Sequence, residues 1–306
     1  VEIRAHHFVN FKMANLHHGV VLPLPAAFAT GASLARLATG FSNASGLTAD
    51  DAGNIYFSDA AKHTIYHYDA EKHDAGVLAK TDFSPIALGF VPPETLLALN
   101  NEKSVSRVDT SSGNISPVNE TATPIAGTAL LLPVGLHNPL IQLEWMLAHK
   151  GYVYRRGSNT ATRSDLLPEE RGYYYAPNSM TAIMAGGTWR PLLQSSQLAR
   201  FALGDKHYIT SEDDARTWTA EWNSGEKLTT HLFAERGGTS VVSDEEGNVY
   251  VAGDQVYVYG RDGRQTGVLE IPERPSSLCF GGSDHRTLYI GARGSLYAIQ
   301  IAARGQ

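Results

Sequence analysis

Two stretches lying far apart in this chain spell the same local structure, and that repeat limits the folds open to it more than any other feature. Gly46-Leu-Thr-Ala-Asp-Asp-Ala-Gly-Asn-Ile-Tyr-Phe-Ser-Asp59 and Thr239-Ser-Val-Val-Ser-Asp-Glu-Glu-Gly-Asn-Val-Tyr-Val-Ala-Gly-Asp254 each read as a strand, an acidic turn with a glycine, and a second strand. A third strand follows in both copies, Thr64-Ile-Tyr-His-Tyr-Asp69 and Gln255-Val-Tyr-Val-Tyr-Gly260, and then a fourth, at Gly76-Val-Leu-Ala79 and Thr266-Gly-Val-Leu-Glu-Ile271. β-Branched and aromatic residues alternating with a period of two, broken by Gly-Asn and Asp-Gly turns, specify antiparallel hairpins. Four such strands in about 40 residues make one blade of a β-propeller.

The same rhythm runs from Pro85 to Asn119, with strands near Ile86–Phe90, Thr95–Leu99, Ser104–Val108 and Asn114–Val118. The last blade, Ser276–Phe280, Thr287–Gly291 and Ser295–Ile301, has only three strands, and Glu2–Phe11 is the natural N-terminal candidate for the missing outer one. Between Ala126 and Phe233 the repeat blurs over the length of two enlarged blades. The expectation is an all-β, six-bladed propeller, with seven blades as the alternative. It forms a single domain over residues 1–306, with blades near 46–82, 84–120, 126–175, 178–233, 238–272 and 275–301. Ser211-Glu-Asp-Asp-Ala-Arg-Thr-Trp218 fits the Asp-box hairpin S-x-D-x-G-x-T-W except for Ala215 at the glycine, and marks a blade edge with a structural role.

Charge and cysteine content narrow the partners. Lys+Arg 25 against Asp+Glu 31 gives a net charge of −6, which leaves no footprint for a nucleic-acid backbone. The most apolar early stretch, Gly19–Leu37, holds Pro23, Pro25 and Arg36 and is no membrane span or signal peptide. The single cysteine, Cys279, excludes an internal disulfide and reads as a buried apolar residue of a strand. Cysteine scarcity fits a secreted or periplasmic protein, with the cytoplasm as the alternative. The chain opens without an initiator methionine, as a segment of a longer polypeptide would.

The run Asp244–Ala252, then Ile271-Pro-Glu-Arg-Pro-Ser-Ser-Leu-Cys-Phe-Gly-Gly-Ser-Asp284 and Thr287-Leu-Tyr-Ile-Gly-Ala-Arg-Gly-Ser-Leu-Tyr297, carries a Phe-Gly-Gly-x-Asp turn followed by Leu-Tyr-Ile. It resembles the closing blades of the senescence-marker-protein/gluconolactonase/regucalcin family, most clearly over residues 238–301 and more weakly from Gly46 to Asp69. The resemblance implies a divalent cation, calcium, zinc or magnesium, in the central channel, held by a first-blade Glu, middle-blade Asn side chains and an Asp of a Pro-Asp-Gly motif. Such a metal polarises a sugar lactone and activates water. Here the Pro-Asp-Gly position reads Gly238-Thr239-Ser240, the first-blade Glu position reads Asn43-Ala44-Ser45, and Asn178-Ser179 is the one relative of the middle Asn-Gly motif. The metal candidates are therefore Asn43, Asn178 and Thr239, all neutral oxygens, and the residues themselves call for no cofactor.

Other candidates come from position and chemistry. Arg155 and Arg156, with Arg163, Arg171, Tyr152, Tyr154 and Tyr173 to Tyr175, form a guanidinium and aromatic segment suited to a sugar acid; the same residues also suit strands and a solvated loop. His137 and His149 fall where loops reach a channel mouth, and with Tyr154 they are the candidate catalytic groups for proton transfer. The pairs His6-His7 and His17-His18 lack the spacing of a helical zinc motif. Arg236, beside Glu235, and Arg274 precede leading strands, where propeller ligands bind, and join Asn43 and Asn178 as substrate-binding candidates; rim ion pairing is the other reading of the arginines. Three functions stay open: hydrolysis of a sugar lactone or ester, metal-independent action on saccharides of the uronate-lyase type, and a non-catalytic carbohydrate- or protein-binding module of a larger protein. The expected ligand is a small molecule or an oligosaccharide.

Overall fold

The computed structural model describes residues 25–91, 93–100, 105–117 and 207–305, apart from 213–214 and 223–227, together with the backbone of short strands between 147 and 202. The described elements are all strands except one 3-10 turn, Ala60–Lys62. Strand β1 (Ala35–Thr39) comes first and belongs to the last sheet. Then follow β2 (Ser45–Ala49), β3 (Ile55–Asp59), β4 (Thr64–Asp69) and β5 (Asp74–Lys80), and next β6 (Pro85–Val91), β7 (Thr95–Asn100), β8 (Val105–Asp109) and β9 (Ile115–Pro117). Each set of four is one antiparallel sheet in sequence order. The middle of the chain contributes a three-stranded sheet, β10 (Leu147–His149), β11 (Tyr152–Arg156) and β12 (Ala161–Thr162), and a hairpin, β13 (Met180–Ile183) and β14 (Trp189–Leu193). Two further four-stranded sheets are β15 (Arg200–Ala202), β16 (His207–Ser211), β17 (Arg216–Trp222) and β18 (Leu228–Ala234), and β19 (Ser240–Ser243), β20 (Val249–Ala252), β21 (Val256–Tyr259) and β22 (Gln265–Leu269). The last sheet runs β23 (Pro275–Gly281), β24 (Thr287–Ala292), β25 (Ser295–Gln300) and then β1.

The fourth strand of that last sheet is therefore Ala35–Thr39, which pairs antiparallel with β25, Ala35 opposite Ala298 and Thr39 opposite Ser295. The stretch 2–11, expected in this role, lies outside the described residues. The connection into β1 also packs: Phe28 bridges Ile301, and Ala27, Phe28 and Leu34 are buried among residues of the last two sheets.

Period-two alternation explains why the strands are apolar on both faces. Tyr250 and Ala252 of β20, with Val256 and Val258 of β21, face the last sheet, whereas Val249, Val251, Tyr257 and Tyr259 face the β15–β18 sheet. Likewise Phe57 and Tyr66 face the last sheet, and Tyr56 and Ile65 face the β6–β9 sheet. The core is thus a set of layers, each shared by two consecutive sheets, as in a propeller. Phe57 is fully buried and meets Phe41 edge-on at 4.9 Å; truncation to alanine costs roughly 3–5 kcal/mol.

Hydroxyls stitch neighbouring sheets along their leading strands. The Leu278 N–H donates to Ser240 Oγ (3.1 Å), the Leu47 N–H to Ser277 Oγ (3.0 Å) and the Phe90 N–H to Thr48 Oγ1 (3.2 Å). Each bond gives a partner to a buried amide that the leading strand cannot pair within its own sheet, which is the condition for burying it at all.

Candidate functional site

In an antiparallel meander successive connections fall at alternate ends. The connections that lead into β2, β6, β19 and β23 therefore share an end with the turns between second and third strands of each sheet. Backbone and side-chain bonds show that association: the Gly40 and Phe41 amides both donate to the Gly294 carbonyl, the Thr81 amide to the His63 carbonyl, and the Gly294 amide to Glu273 Oε2. Asn43, Arg236, Thr239 and Arg274 all lie on these lead-in loops, so topology places four of the sequence candidates at one end.

Asn43 is exposed between two anchors. The Ser42 amide donates to Asp59 Oδ2 (2.6 Å), and the Ala44 amide donates to the carbonyls of Ala292 and Arg293. Asp59 is fully buried and also caps the 3-10 turn at Lys62. Thr239 is half-buried, and its hydroxyl and amide both donate to the Ala252 carbonyl.

Arg236 lies over the ring of Tyr257, 3.9 Å from the centroid, and 3.6 Å from Asp254 Oδ1, which accepts from the Tyr257 hydroxyl at 2.7 Å. That phenol bond, working against burial, holds Asp254 below the usual carboxylate range, while burial first and then Asp254 push Tyr257 up to about 12. Arg274 pairs with Glu212 of the Asp-box turn. Its neighbour Glu273 accepts from the Gly294 amide and from the Ser295 and Tyr297 hydroxyls. Burial raises the Glu273 carboxyl, but these donors outweigh it and the net direction is down.

The Asp-box segment supplies the hairpin between β16 and β17. Ala215 takes the left-handed backbone conformation, φ 51°, that a glycine would adopt without cost, and Trp218 is buried. Thr210 and Thr217, both fully buried, bond one another at 2.9 Å and reach the next sheet's lead-in loop.

The remaining candidates divide by what is described. His149 and Tyr154 are on β10 and β11, where the register sets His149 opposite Tyr152 and Leu147 opposite Tyr154; Arg155 and Arg156 pair with Thr162 and Ala161. Their side chains, and His137 and Asn178 altogether, lie outside the described residues. Cys279 is buried, and burial pushes its thiol up to about 12, which leaves no thiolate for chemistry at neutral pH. Sequence reasoning passed over Asp59, Glu273, Tyr257 and the two threonines. The Pro-Glu-Arg-Pro run pointed to the neighbourhood of Glu273, and the Asp-box pattern marked Thr217 as a hairpin residue only; the others sit inside ordinary strand alternation and carry no signal of their own.

The donor set tests the metal that the resemblance implies. Calcium and magnesium select hard, mostly anionic oxygens. Asn43 and Thr239 are neutral, and the Thr239 hydroxyl hydrogen is committed to Ala252. Among the described residues no three His, Cys, Asp or Glu side chains come together as a metal site. The described residues therefore do not fit that cation.

The Phe280-Gly281-Gly282 turn has a packing role. The Gly282 amide donates to the Gly53 carbonyl (2.8 Å), and a Cβ on Gly53, at φ 85°, would lie 2.1 Å from the Gly282 carbonyl oxygen. Only glycine fits there, so the signature records how the last sheet meets the first.

The SMP-30/Gluconolactonase/LRE-like region matches residues 219–293. No curated protein matches the chain in sequence. Among solved structures, a gluconolactonase of Xanthomonas campestris has 15% identity and a TM-score of 0.64, covering 90% of this chain and 91% of that one. The calcium-binding protein regucalcin of Agrobacterium tumefaciens has 17% identity and a TM-score of 0.60, covering 90% and 96%. A streptogramin B lyase has 11% identity and a TM-score of 0.58, covering 88% and 98%. At such identities the likeness is one of fold, a β-propeller that is similar to hydrolase, binding protein and lyase alike. Among the described residues no helix is long and apolar enough to cross a membrane. Residues 219–293, which supply Arg236, Thr239, Arg274 and the Phe280-Gly281-Gly282 turn, are similar to the SMP-30/Gluconolactonase/LRE-like region.

Proposed function

We propose that the chain is a six-bladed propeller that takes a sugar lactone or ester at its lead-in end and hydrolyses it. The observation that carries this reading is that the family match covers the loops bearing Arg236, Thr239 and Arg274. Asn43 and Thr239 offer neutral oxygens suited to sugar hydroxyls, and the guanidinium of Arg236 or Arg274 suits the charge that develops on a carbonyl oxygen under attack. His137, His149 and Tyr154 are the candidates for the group that takes the proton from water. Arg155, Arg156 and Asn178 would extend the sugar contacts.

A second reading, binding without turnover, is favoured by the neutral Asn43 and Thr239 at the positions where the family resemblance calls for acids. One experiment separates the two. Aldonolactones and sugar esters are offered to protein stripped of metal, with calcium, zinc and manganese added back and their binding followed by calorimetry. Turnover lowered about tenfold or more by Arg236→Met supports the hydrolase. Sugar binding with no turnover under any metal leaves the binding module. A saturable metal site would assign its ligands to residues other than Asn43 and Thr239.

A further inference from the structure

The two lead-in arginines are held differently. Arg274 is directly paired with Glu212. Arg236 has its face on the Tyr257 ring, and its nearest carboxylate oxygen, at 3.6 Å, is beyond hydrogen-bond distance and already accepts from Tyr257. Among the described residues, the Tyr259 hydroxyl is a further polar neighbour of the guanidinium. Stacking uses the face of a guanidinium and leaves its N–H groups pointing outward in the plane, five donors against few acceptors. The side chain is 44% exposed.

The backbone beneath Arg236 is fixed by a directional chain. The Gly238 N–H donates to Thr210 Oγ1 (2.9 Å), the Thr210 hydroxyl meets Thr217 Oγ1 (2.9 Å), and the Thr217 hydroxyl donates to the Arg236 carbonyl (2.8 Å). Read in that order, every hydroxyl gives once and accepts once, so the chain is complete. Thr217 is the threonine of the Asp-box segment, which gives that hairpin a task beyond its own sheet.

We infer that the ligand of the lead-in end carries an oxyanion, a sugar carboxylate or a sugar phosphate, bound by Arg236, with Thr210 and Thr217 as positioning residues that aim it. The inference rests on the reading that this end binds a sugar. A guanidinium aimed in advance loses little freedom on meeting a carboxylate or phosphate, and it can pair with two oxygens at once. The neutral Asn43 and Thr239 remove the repulsion that carboxylates at those positions would exert on such a ligand.

Calorimetry with D-glucuronate, D-glucose 6-phosphate and methyl α-D-glucoside tests this on the full chain. The wild type is expected to bind one charged sugar about tenfold tighter than the glucoside, and which one it is separates carboxylate from phosphate. Arg236→Met brings the charged and neutral sugars together and Arg236→Lys recovers part of the gap. Arg264→Gln, which removes an exposed charge on the β21–β22 turn, changes nothing. Thr217→Val weakens the charged sugar about fivefold and spares the glucoside, and Thr217→Ser restores it; a purely structural loss would weaken both sugars together. Thr210→Ala gives the same comparison if the valine variant does not fold. No charge preference, or a preference that survives Arg236→Met, overturns the inference and leaves the sugar-binding reading in place. Failure to bind any of the three sugars overturns both.

Discussion

The turn from Asp50 to Tyr56 and the turn from Asp244 to Tyr250 make the same bonds in two settings. In each, the Asn amide donates to the first carboxylate oxygen, and the Asn side-chain amide and the Tyr hydroxyl donate to the second: 2.8, 2.9 and 3.2 Å at Asp50, and 2.9, 2.8 and 2.9 Å at Asp244. What differs is the cover. Asp244 is fully buried beneath the end of the chain, where the Glu245 amide donates to the Arg304 carbonyl and Asp244 bridges Gly305. Asp50 stays partly exposed, and its glycine, Gly53, is the residue that the last sheet presses upon. One local sequence is thus tightened at its acid in one sheet and at its glycine in the other, and the difference comes from the neighbour.

The largest test removes the acid. Asp244→Ala strands three donors in a buried site and is expected to cost about 4 kcal/mol, against about 2 kcal/mol for Asp50→Ala, where water replaces part of the loss. Urea denaturation measures both, and equal losses would break the comparison. The glycines reverse the order. Gly53→Ala adds a backbone clash to the left-handed penalty and should cost about 3 kcal/mol. Gly247→Ala, at φ 83°, meets only the movable Arg261 side chain and should cost about 1–2 kcal/mol.

Alkaline pH acts on both turns. Burial, then the nearby Asp charge and hydrogen bond, raise both Tyr56 and Tyr250 far above the ordinary tyrosine value. A raised folded-state pKa holds the proton in the native state, so this stability is intact below about pH 10, where unfolded tyrosine ionises, and is lost as pH climbs past it. Tyr250→Phe and Tyr56→Phe should each flatten that loss, the contrast lying in their costs at neutral pH, about 1.5 and 1 kcal/mol. The smallest effect is at the Asp-box turn. Ala215→Gly releases a left-handed cost of roughly 1–2 kcal/mol and gives back roughly 0.4–1 in unfolded-state entropy, a net gain of about 0.5 kcal/mol in thermal unfolding.

How legible this was depends on the range of the interaction. The Asp-Gly-Asn turns, the four-strand rhythm and the Asp-box hairpin are local and stand in the sequence as alternation and turn residues. The strand that completes the last sheet was not legible as such. Ala35–Thr39 spells Ala-Arg-Leu-Ala-Thr, which has little β-branching, and only pairing with β25 makes it a strand. Arg236 and Arg274 could be chosen by their place before leading strands. The difference between them, one paired with Glu212 and one stacked on Tyr257, depends on contacts between separate hairpins that no spacing encodes.

The pairing of Ala35 with Ala298 also sets a timetable. On the ribosome, β1 waits for its partner while the chain between Ala35 and Ala298 is made, on the order of tens of seconds at ordinary elongation rates. Its two open edges are exposed to other chains for all that time, a hazard for strands generally. Five residues of modest strand propensity, one of them an arginine, make a poor template for a stranger, so the shortness of β1 serves the unfinished protein as much as the finished one.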